Sequence, residues 1–452
     1  MTTFFGIVFH FTINTCAGWG VLCLCPGKRN WLESVTASFL IGLYAETLLI
    51  AVVGFLGLST FTSEILIISG ALALTFVAWR QKAFVICRLD AGRFRWYDGL
   101  LLVSVGEKLG FGLWELTRTP VYFEDAFVHW AGRGRALYGG ANWSFDPGSP
   151  AFLGITGIRG YPLGIPVWRA VTALLSGHWN DIIARADGMF FFVAIVTTVW
   201  VAVWRFSRTR WLASGSAFIL SALPLQAWHA ASGYGDIAVE AFLVAALAAL
   251  VRKEWLVGGI LAAGAMWMKN DGLLYLPALM MFALLSPLSS EKVGGLKPFI
   301  RDRWKRATLF AAGVVTLTPW WGFKFMYFPS VEQSGQGLAW HGDAPMFLWM
   351  SVVRGSSHNI FWTFVISAIL ASIRPLLKDE LGRSLAGMFF LCLLAIFFVF
   401  GFTGSFVVLK DQTAIHRIML QVYGIAIMVA SYATWLKIRP STGTQVKSSK
   451  PR

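Results

Sequence analysis

Long runs of apolar residues follow one another along most of the chain. A transmembrane helix needs about 20 such residues, and a helix that is apolar all round is buried in lipid or among other helices. The pattern predicts an all-α, polytopic membrane protein with roughly 13 transmembrane helices. The predicted spans are residues 4–24, 33–57, 62–80, 97–117, 183–204, 211–229, 236–251, 255–270, 273–288, 307–327, 359–373, 386–403 and 415–436.

The same pattern divides the chain into three parts. Residues 1–96 would form extra N-terminal transmembrane helices, and residues 97–436 a membrane core with a large external loop at 118–182. Within that loop, residues 161–177 are apolar but too short to cross a bilayer, so they are predicted to form an interfacial helix. The polar residues 437–452 are predicted to be a disordered cytosolic tail.

Composition supports a membrane protein and excludes two other classes. The chain is 56% hydrophobic and only 13% charged, which excludes a soluble globular protein. A net charge of +15 would suggest a nucleic-acid partner in a soluble protein. Here 26 of the 38 Lys and Arg residues lie in alternate loops, as the positive-inside rule requires, so nucleic acid is excluded. We therefore expect a multi-pass protein of the inner (plasma) membrane, with its N-terminus outside and its C-terminus in the cytosol.

Two adjacent acids, Glu124 and Asp125, follow the predicted span 97–117. If residues 121–138 are helical, with Pro120 in the first turn, Asp125, His129 and Arg133 share one face. An acid, an imidazole and a guanidinium side by side could carry out proton-transfer chemistry at the external surface. The alternative interpretation is a solvated helix with internal ion pairs.

A second group of polar residues lies on the same predicted side. Asp236 stands at the start of an apolar helix, where a carboxylate is stabilised by the helix dipole or acts as a cap. Glu240 is one turn deeper, where a charge in a membrane usually has a partner or a function. With His229 nearby, these side chains could bind a divalent cation, although the spacing identifies no particular metal.

Cations also occur on the external side, where cytosolic charge bias cannot explain them. Lys269 ends one span outside, and its ammonium could bind a phosphate; the alternative is a lysine that snorkels to the interface. His416 and Arg417 open the last span, and a guanidinium matches phosphate oxygens well. Arg354, His358 and Lys410 are weaker candidates of the same kind.

The order of these motifs resembles the GT-C superfamily of membrane glycosyltransferases, closest to the branch with protein O-mannosyltransferases and the lipid A aminoarabinose transferase. That branch has an acidic pair in its first large external loop and a Tyr-Pro-Pro-Leu-like interfacial helix, of which this chain lacks the second proline. An Ala-Arg stretch, an external Lys followed by Gly, and a basic residue at a late span complete the pattern. The matching residues are Glu124-Asp125, Tyr161-Pro162-Leu163, Ala184-Arg185, Lys269 to Gly272, and His416-Arg417.

The resemblance implies an inverting enzyme that moves a sugar from a polyprenyl-phosphate donor to an acceptor hydroxyl of a glycan, lipid or protein at the external (periplasmic) face. It implies Asp125 as the general base, with Glu124 as second choice. The donor phosphate would be bound by Lys269, Arg417 and His416. His129, Tyr161, Asp236 and Glu240 would support the acceptor side. Family members differ in whether they use a divalent metal, and the candidate ligands here are Asp236, Glu240 and His229.

The alternative function is a polytopic transporter or a flippase for lipid-linked sugars. Glu46, Glu107 and Lys108 lie in or near apolar runs and would then line a pathway. Transporters often contain an internal repeat with broken helices at matching positions of two halves. The sequence shows no such repeat, and its external charges argue against a site at mid-membrane.

Overall fold

The structure is a computed structural model of the 452-residue chain. It describes residues 2–25, 27, 29–57, 70, 73, 76, 86–87, 94–122, 125–139, 152, 158–287, 296–328, 338–354, 358 and 360–439. Within these ranges the secondary structure is almost entirely helical, which confirms the all-α prediction. The exception is a pair of two-residue parallel strands, β1 (Arg29–Asn30) and β2 (Ile86–Cys87).

The α-helices are α1 (Thr2–Cys23), α2 (Trp31–Phe55), α3 (Trp96–Arg118), α4 (Gly132–Gly139), α5 (Gly164–Ser176), α6 (Asp187–Ser207), α7 (Arg210–Ser221), α8 (Pro224–Ser232), α9 (Asp236–Val251), α10 (Trp255–Met268), α11 (Leu276–Leu285), α12 (Leu296–Val315), α13 (Thr318–Tyr327), α14 (Ala344–Trp349), α15 (Phe361–Ala371), α16 (Ile373–Lys378), α17 (Glu380–Phe402), α18 (Phe406–Lys410), α19 (Ile415–Leu420) and α20 (Tyr423–Ile438). Two π-helical segments, Ala126–Ala131 and Met350–Arg354, precede α4 and follow α14. A 3-10 helix, Asn270–Tyr275, joins α10 to α11.

Four described helices, α1, α2, α6 and α17, are long and apolar enough to cross a membrane. A fifth candidate exists if α8 and α9 form one span, although the two helices are bent by 114° at their junction. Other apolar helices, including α10, α15 and α20, are shorter. The expected number of roughly 13 spans is therefore too high for the part of the chain that the structure describes. The predicted span 62–80 lies mostly outside that part.

Proline and glycine explain why some long apolar runs became two helices. The run 211–229 divides where Pro224 opens α8, because proline suits the first turn of a new helix but cannot continue the preceding one. Gly233 then ends α8 with a φ of 84°, a left-handed conformation that favours glycine. The short connection from Gly233 to Asp236 therefore lies between two differently oriented helices.

The predicted N-terminal helices pack directly on the rest of the chain. α1 crosses α2 where Gly18 and Gly42 face each other's backbone, and small residues allow such close approach. Both helices also contact α5, the predicted interfacial helix, which is largely buried because they cover it. A buried network reinforces this contact: Glu46 pairs with His10 (2.9 Å), and His10 pairs with the Thr172 hydroxyl of α5 (2.7 Å). The domain boundary at residue 96 stays a prediction.

Replacing Gly42 with leucine should destabilise the protein by about 1–3 kcal/mol, a typical effect of overpacking. A Cβ at this position would overlap the main-chain carbonyl of Asn14, which cannot move aside as a side chain can. Titration of the detergent-solubilised protein with denaturant measures the difference in the free energy of unfolding. Gly110→Leu is the matched control, because a Cβ there meets nothing within 4 Å. Equal unfolding midpoints for the two variants would contradict the close helix crossing.

Candidate functional site

The chain does not enter a helix directly after Pro120, contrary to the sequence prediction. Thr119 is extended (φ −110°, ψ 142°), as expected for a residue before proline, and the next described helix begins near Asp125 as a π-helix. A π-helix has a wider turn than an α-helix, so residues eight apart no longer share a face. His129 therefore lies 4.0 Å from Asp125, whereas buried Arg133 donates to the carbonyls of Tyr161 and Arg159. Glu124 lies outside the described residues.

Arg417 of α19 connects two aspartates that are remote from it in sequence. Its Nη1 donates to the carboxylate of Asp125, and its Nε donates to Oδ2 of Asp236 at 3.1 Å. The guanidinium carbon also lies 4.2 Å from the centre of the Tyr234 ring, which suits a cation–π contact. The segment that follows α3, the start of α9 and α19 therefore meet at this one side chain.

Asp236 is the buried centre of the arrangement. As the first residue of α9, it has the helix dipole behind its carboxylate. Its oxygens accept hydrogen bonds from Lys269 (2.7 Å) and Gln421 (2.7 Å) in addition to Arg417. Lys269 also lies 2.7 Å from Asp271. We call Asp125, Asp236, Lys269, Asp271 and Arg417 together the ion cluster.

Solvent exposure differs strongly across the ion cluster. The side chains of Asp236 and Lys269 are 0% and 7% exposed, whereas that of Asp125 is 38% exposed. Each cation contacts two carboxylates, and a buried charge is stable only when it is paired in this way. Lys269 is thus already neutralised inside the protein. A ligand from outside reaches the cluster most easily at the Asp125–Arg417 contact.

His129 and Tyr161 form an aromatic wall beside Asp125. Their rings meet edge to face with centroids 4.8 Å apart. Burial lowers the pKa of His129 below its ordinary value, although Asp125 acts in the opposite direction, so the imidazole is neutral at pH 7. Its Nδ1 accepts a hydrogen bond from the main-chain N–H of Ile158 (3.4 Å). Burial likewise raises the pKa of Tyr161, which therefore keeps its phenolic proton.

Three other predicted residues lie apart from these contacts. Nδ1 of His416 pairs with Nε2 of His358 at 3.0 Å, and His358 in turn pairs with the Tyr423 hydroxyl. Glu240 is buried and accepts hydrogen bonds from Gln226 (2.8 Å) and the main-chain N–H of Gly424 (2.9 Å). Buried His229 has no hydrogen-bond partner at either ring nitrogen within the described chain.

The candidate metal ligands are not brought together. Asp236 is occupied by Lys269 and Arg417, whereas Glu240 faces Gln226. Among the described residues, no three His, Cys, Asp or Glu side chains are grouped closely enough to hold a metal ion. A metal-binding role for Asp236, Glu240 and His229 stays a prediction that this geometry does not favour.

The three residues that would line a transport pathway, Glu46, Glu107 and Lys108, do not lie along one path. Glu107 and Lys108 pair with each other at 2.7 Å on α3, and the Glu107 side chain is 59% exposed. Glu46 instead contacts His10 and Asn14 between α1 and α2. Nothing in these contacts favours a transport pathway.

Sequence reasoning missed Asp271, Gln421 and Tyr234. Asp271 lies within the matched stretch Lys269 to Gly272, and Tyr234 stands two residues before Asp236, but neither had an assigned role. Gln421 follows Arg417 by four residues, a helical spacing that places the two side chains on one face. A search for polar residues at helical spacing from Arg417 would have found it.

Comparison with known proteins adds no relative of this chain. No protein-family model, no curated protein and no solved structure matches it.

Proposed function

We propose that this protein is a membrane glycosyltransferase that moves a sugar from a polyprenyl-phosphate donor to an acceptor hydroxyl. The observation that carries the proposal is the contact between Asp125 and Arg417. It joins a partly exposed carboxylate to a guanidinium at the rim of a buried ion cluster. A base and a phosphate-binding cation side by side are what this reaction needs.

The proposed reaction is a single displacement. The acceptor oxygen forms a bond to the anomeric carbon of the sugar while the bond from that carbon to the phosphate oxygen breaks. Asp125 takes the hydroxyl proton, and the phosphate leaves with the bonding electron pair. Attack from the face opposite to the phosphate inverts the anomeric centre. The second choice of base, Glu124, lies outside the described residues.

Arg417 would bind the donor phosphate through the same guanidinium that now contacts Asp125. A phosphate competes well for this fork of N–H groups, because charge-assisted hydrogen bonds to phosphate are strong. Its arrival would release Asp125 from the ion pair, and an unpaired carboxylate is the better proton acceptor. Substrate binding would thereby activate the base.

The other cluster residues would position these two groups. Lys269 neutralises Asp236 and Asp271, and Asp236 in turn holds the Nε of Arg417. His129 and Tyr161 would form the acceptor side next to Asp125. His416 and Glu240 would support α19 and α9 through their contacts with His358 and Gln226.

We further propose that the protein lies in the inner (plasma) membrane with the ion cluster at the external face. The basic loops support this orientation, since they all fall on the other side of the predicted spans. The shorter apolar helices, of which α10 and α20 are largely buried, would complete the membrane domain.

A transfer assay tests the proposal directly. Sealed membranes with and without the protein are given polyprenyl-phosphate donors that carry different radiolabelled sugars, and labelled acceptor products are separated by extraction and chromatography. We expect protein-dependent transfer from at least one donor, with inversion of the anomeric configuration. Protein-dependent movement of the intact donor across the membrane, without cleavage of its sugar–phosphate bond, would instead identify a flippase.

A further inference from the structure

One buried lysine near the ion cluster differs from the cluster's two cations in its contacts. Lys324, in α13, is only 8% exposed. Its Nζ donates to Oδ1 of Asn270 at 3.1 Å and lies 5.2 Å from the Trp321 ring. No carboxylate of the described chain lies within ion-pair distance of it. Lys324 is also a charge within the apolar run 307–327.

An ammonium group has three N–H donors, and Lys324 uses one of them on a neutral amide. Lys269 and Arg417, in contrast, each contact two carboxylates. Burying a charge is costly unless the charge is paired. Lys324 is therefore the cation in this region that most needs an anionic partner from outside the described chain.

The surroundings place Lys324 next to the proposed site. Its partner Asn270 stands between Lys269 and Asp271 of the ion cluster, and Nδ2 of Asn270 donates to the Gly160 carbonyl (3.4 Å). Gly160 itself lies beside the lysine, since a Cβ there would be 3.4 Å from Cε of Lys324, an ordinary van der Waals distance. Tyr161, beside His129, is the next residue along the chain.

The same helix carries an apolar surface directly after the lysine. Phe325 and Met326 are 68% and 70% exposed, so α13 combines an inward ammonium with outward apolar side chains. A ligand that satisfies both has an anionic head and an apolar tail. Inorganic phosphate would satisfy the ammonium only.

We propose that Lys324 and Asn270 bind the phosphate of a lipid phosphate whose apolar chain runs over the exposed face of α13. The inference rests on the proposed function, because it supplies a second cation, besides Arg417, for the phosphate of the polyprenyl carrier. It assigns a binding residue that the motif resemblance does not include.

Binding of farnesyl phosphate to the full chain tests the proposal without any sugar transfer. The purified protein in neutral-lipid nanodiscs is titrated with farnesyl phosphate, farnesol and inorganic phosphate, and the ligand-induced thermal shift is recorded. Farnesyl phosphate should bind at least about tenfold more tightly than either other compound. Lys324→Gln should weaken its binding about tenfold, a typical effect of losing one charged contact, and Lys324→Arg should retain most of it.

Lys305→Gln is the matched control, because it removes an exposed lysine of α12 that has no part in the proposed site. Equal losses in Lys324→Gln and Lys305→Gln, or none in Lys324→Gln, would overturn the assignment. Equal binding of inorganic phosphate would show a free-anion site, and equal binding of farnesol an apolar site, so either result overturns the lipid-phosphate proposal.

Stability gives an independent readout that a purely structural lysine would not reproduce. Removing an unpaired buried charge should not destabilise the ligand-free protein, so Lys324→Met should melt at or above the wild-type temperature. It should also lose the shift caused by farnesyl phosphate. A clear fall in melting temperature would show that Lys324 already has its partner. Normal sugar transfer by Lys324→Gln would reject this inference alone, whereas ligand binding without transfer by the wild type would reject the proposed function alone.

Discussion

Replacing Asp236 with alanine is expected to lower the free energy of unfolding by about 3–5 kcal/mol, the usual cost of removing one partner from a buried ion pair. The Asp236 carboxylate is fully buried and accepts hydrogen bonds from Lys269, Arg417 and Gln421. Its loss leaves Lys269 with Asp271 only and Arg417 with Asp125 only. Neither remaining carboxylate is fully buried, so neither can replace it at the centre of the cluster.

The size of the loss in unfolding free energy distinguishes two explanations of how Asp236 stabilises the protein. If the residue only stabilised the start of α9 through the helix dipole, its removal would cost about 0.3–1 kcal/mol. The ion pairs predict a loss several times larger. Denaturant or steric-trap unfolding of the full chain in detergent measures which explanation holds.

Asp271→Ala is the control for this experiment. It removes a carboxylate from the same lysine, but the Asp271 side chain is 22% exposed and Lys269 keeps Asp236. We expect a loss of about 1 kcal/mol or less, because Lys269 stays paired and solvent reaches the Asp271 carboxylate, which weakens its ion pair. Similar losses for both variants would contradict the view that Asp236 is the centre of the cluster.

Local sequence signals predicted the elements of the site well. The apolar runs gave the helical class, and the acid at the end of one run marked the start of α9 at Asp236. The same reasoning singled out Lys269 and Arg417, because a charge at the predicted external end of an apolar run has no explanation in cytosolic charge bias. The helical class and the start of α9 could be predicted because hydropathy acts over a few turns of helix, whereas the roles of Lys269 and Arg417 stay predictions.

These local signals could not predict which of the elements contact one another in the fold. Hydropathy gave Lys269 and Arg417 the same role, yet the structure buries Lys269 between two aspartates and leaves Arg417 at the rim. That difference arises from how α9, α10 and α19 pack, which periodicity does not report. The count of spans failed for a similar reason, since a run such as 211–229 has a high total hydropathy even though Pro224 divides it.

The helix at Asp125 shows a further limit of prediction from residue spacing. The spacing of Asp125, His129 and Arg133 suits an α-helix, and only the first two remain neighbours in the wider π-turn. Helical turns of this kind are frequent at functional sites, but no residue pattern in this stretch predicts one. Arg133 consequently donates hydrogen bonds to the loop carbonyls of Arg159 and Tyr161 and does not contact the ion cluster.

Asp125→Asn is expected to reduce sugar transfer by a factor of about 10² to 10⁴, the usual contribution of a general base. The substitution keeps the shape of the side chain and an oxygen that can accept from Arg417, so the fold and the donor site should survive. What it removes is the capacity to take the acceptor's proton. Initial transfer rates in membranes, measured over a range of donor concentrations, give the effect.

The kinetic parameters distinguish a base from a residue that merely positions Arg417. Loss of a base lowers kcat and leaves the KM for the donor unchanged or lower, because the neutral amide of the variant competes less strongly than a carboxylate with the donor phosphate for the guanidinium. Loss of a positioning residue would raise KM instead. Asp411→Asn, an exposed acid whose carboxylate accepts from the Thr413 hydroxyl, should transfer sugar like the wild type. Full activity of Asp125→Asn would shift the assignment of the base to Glu124.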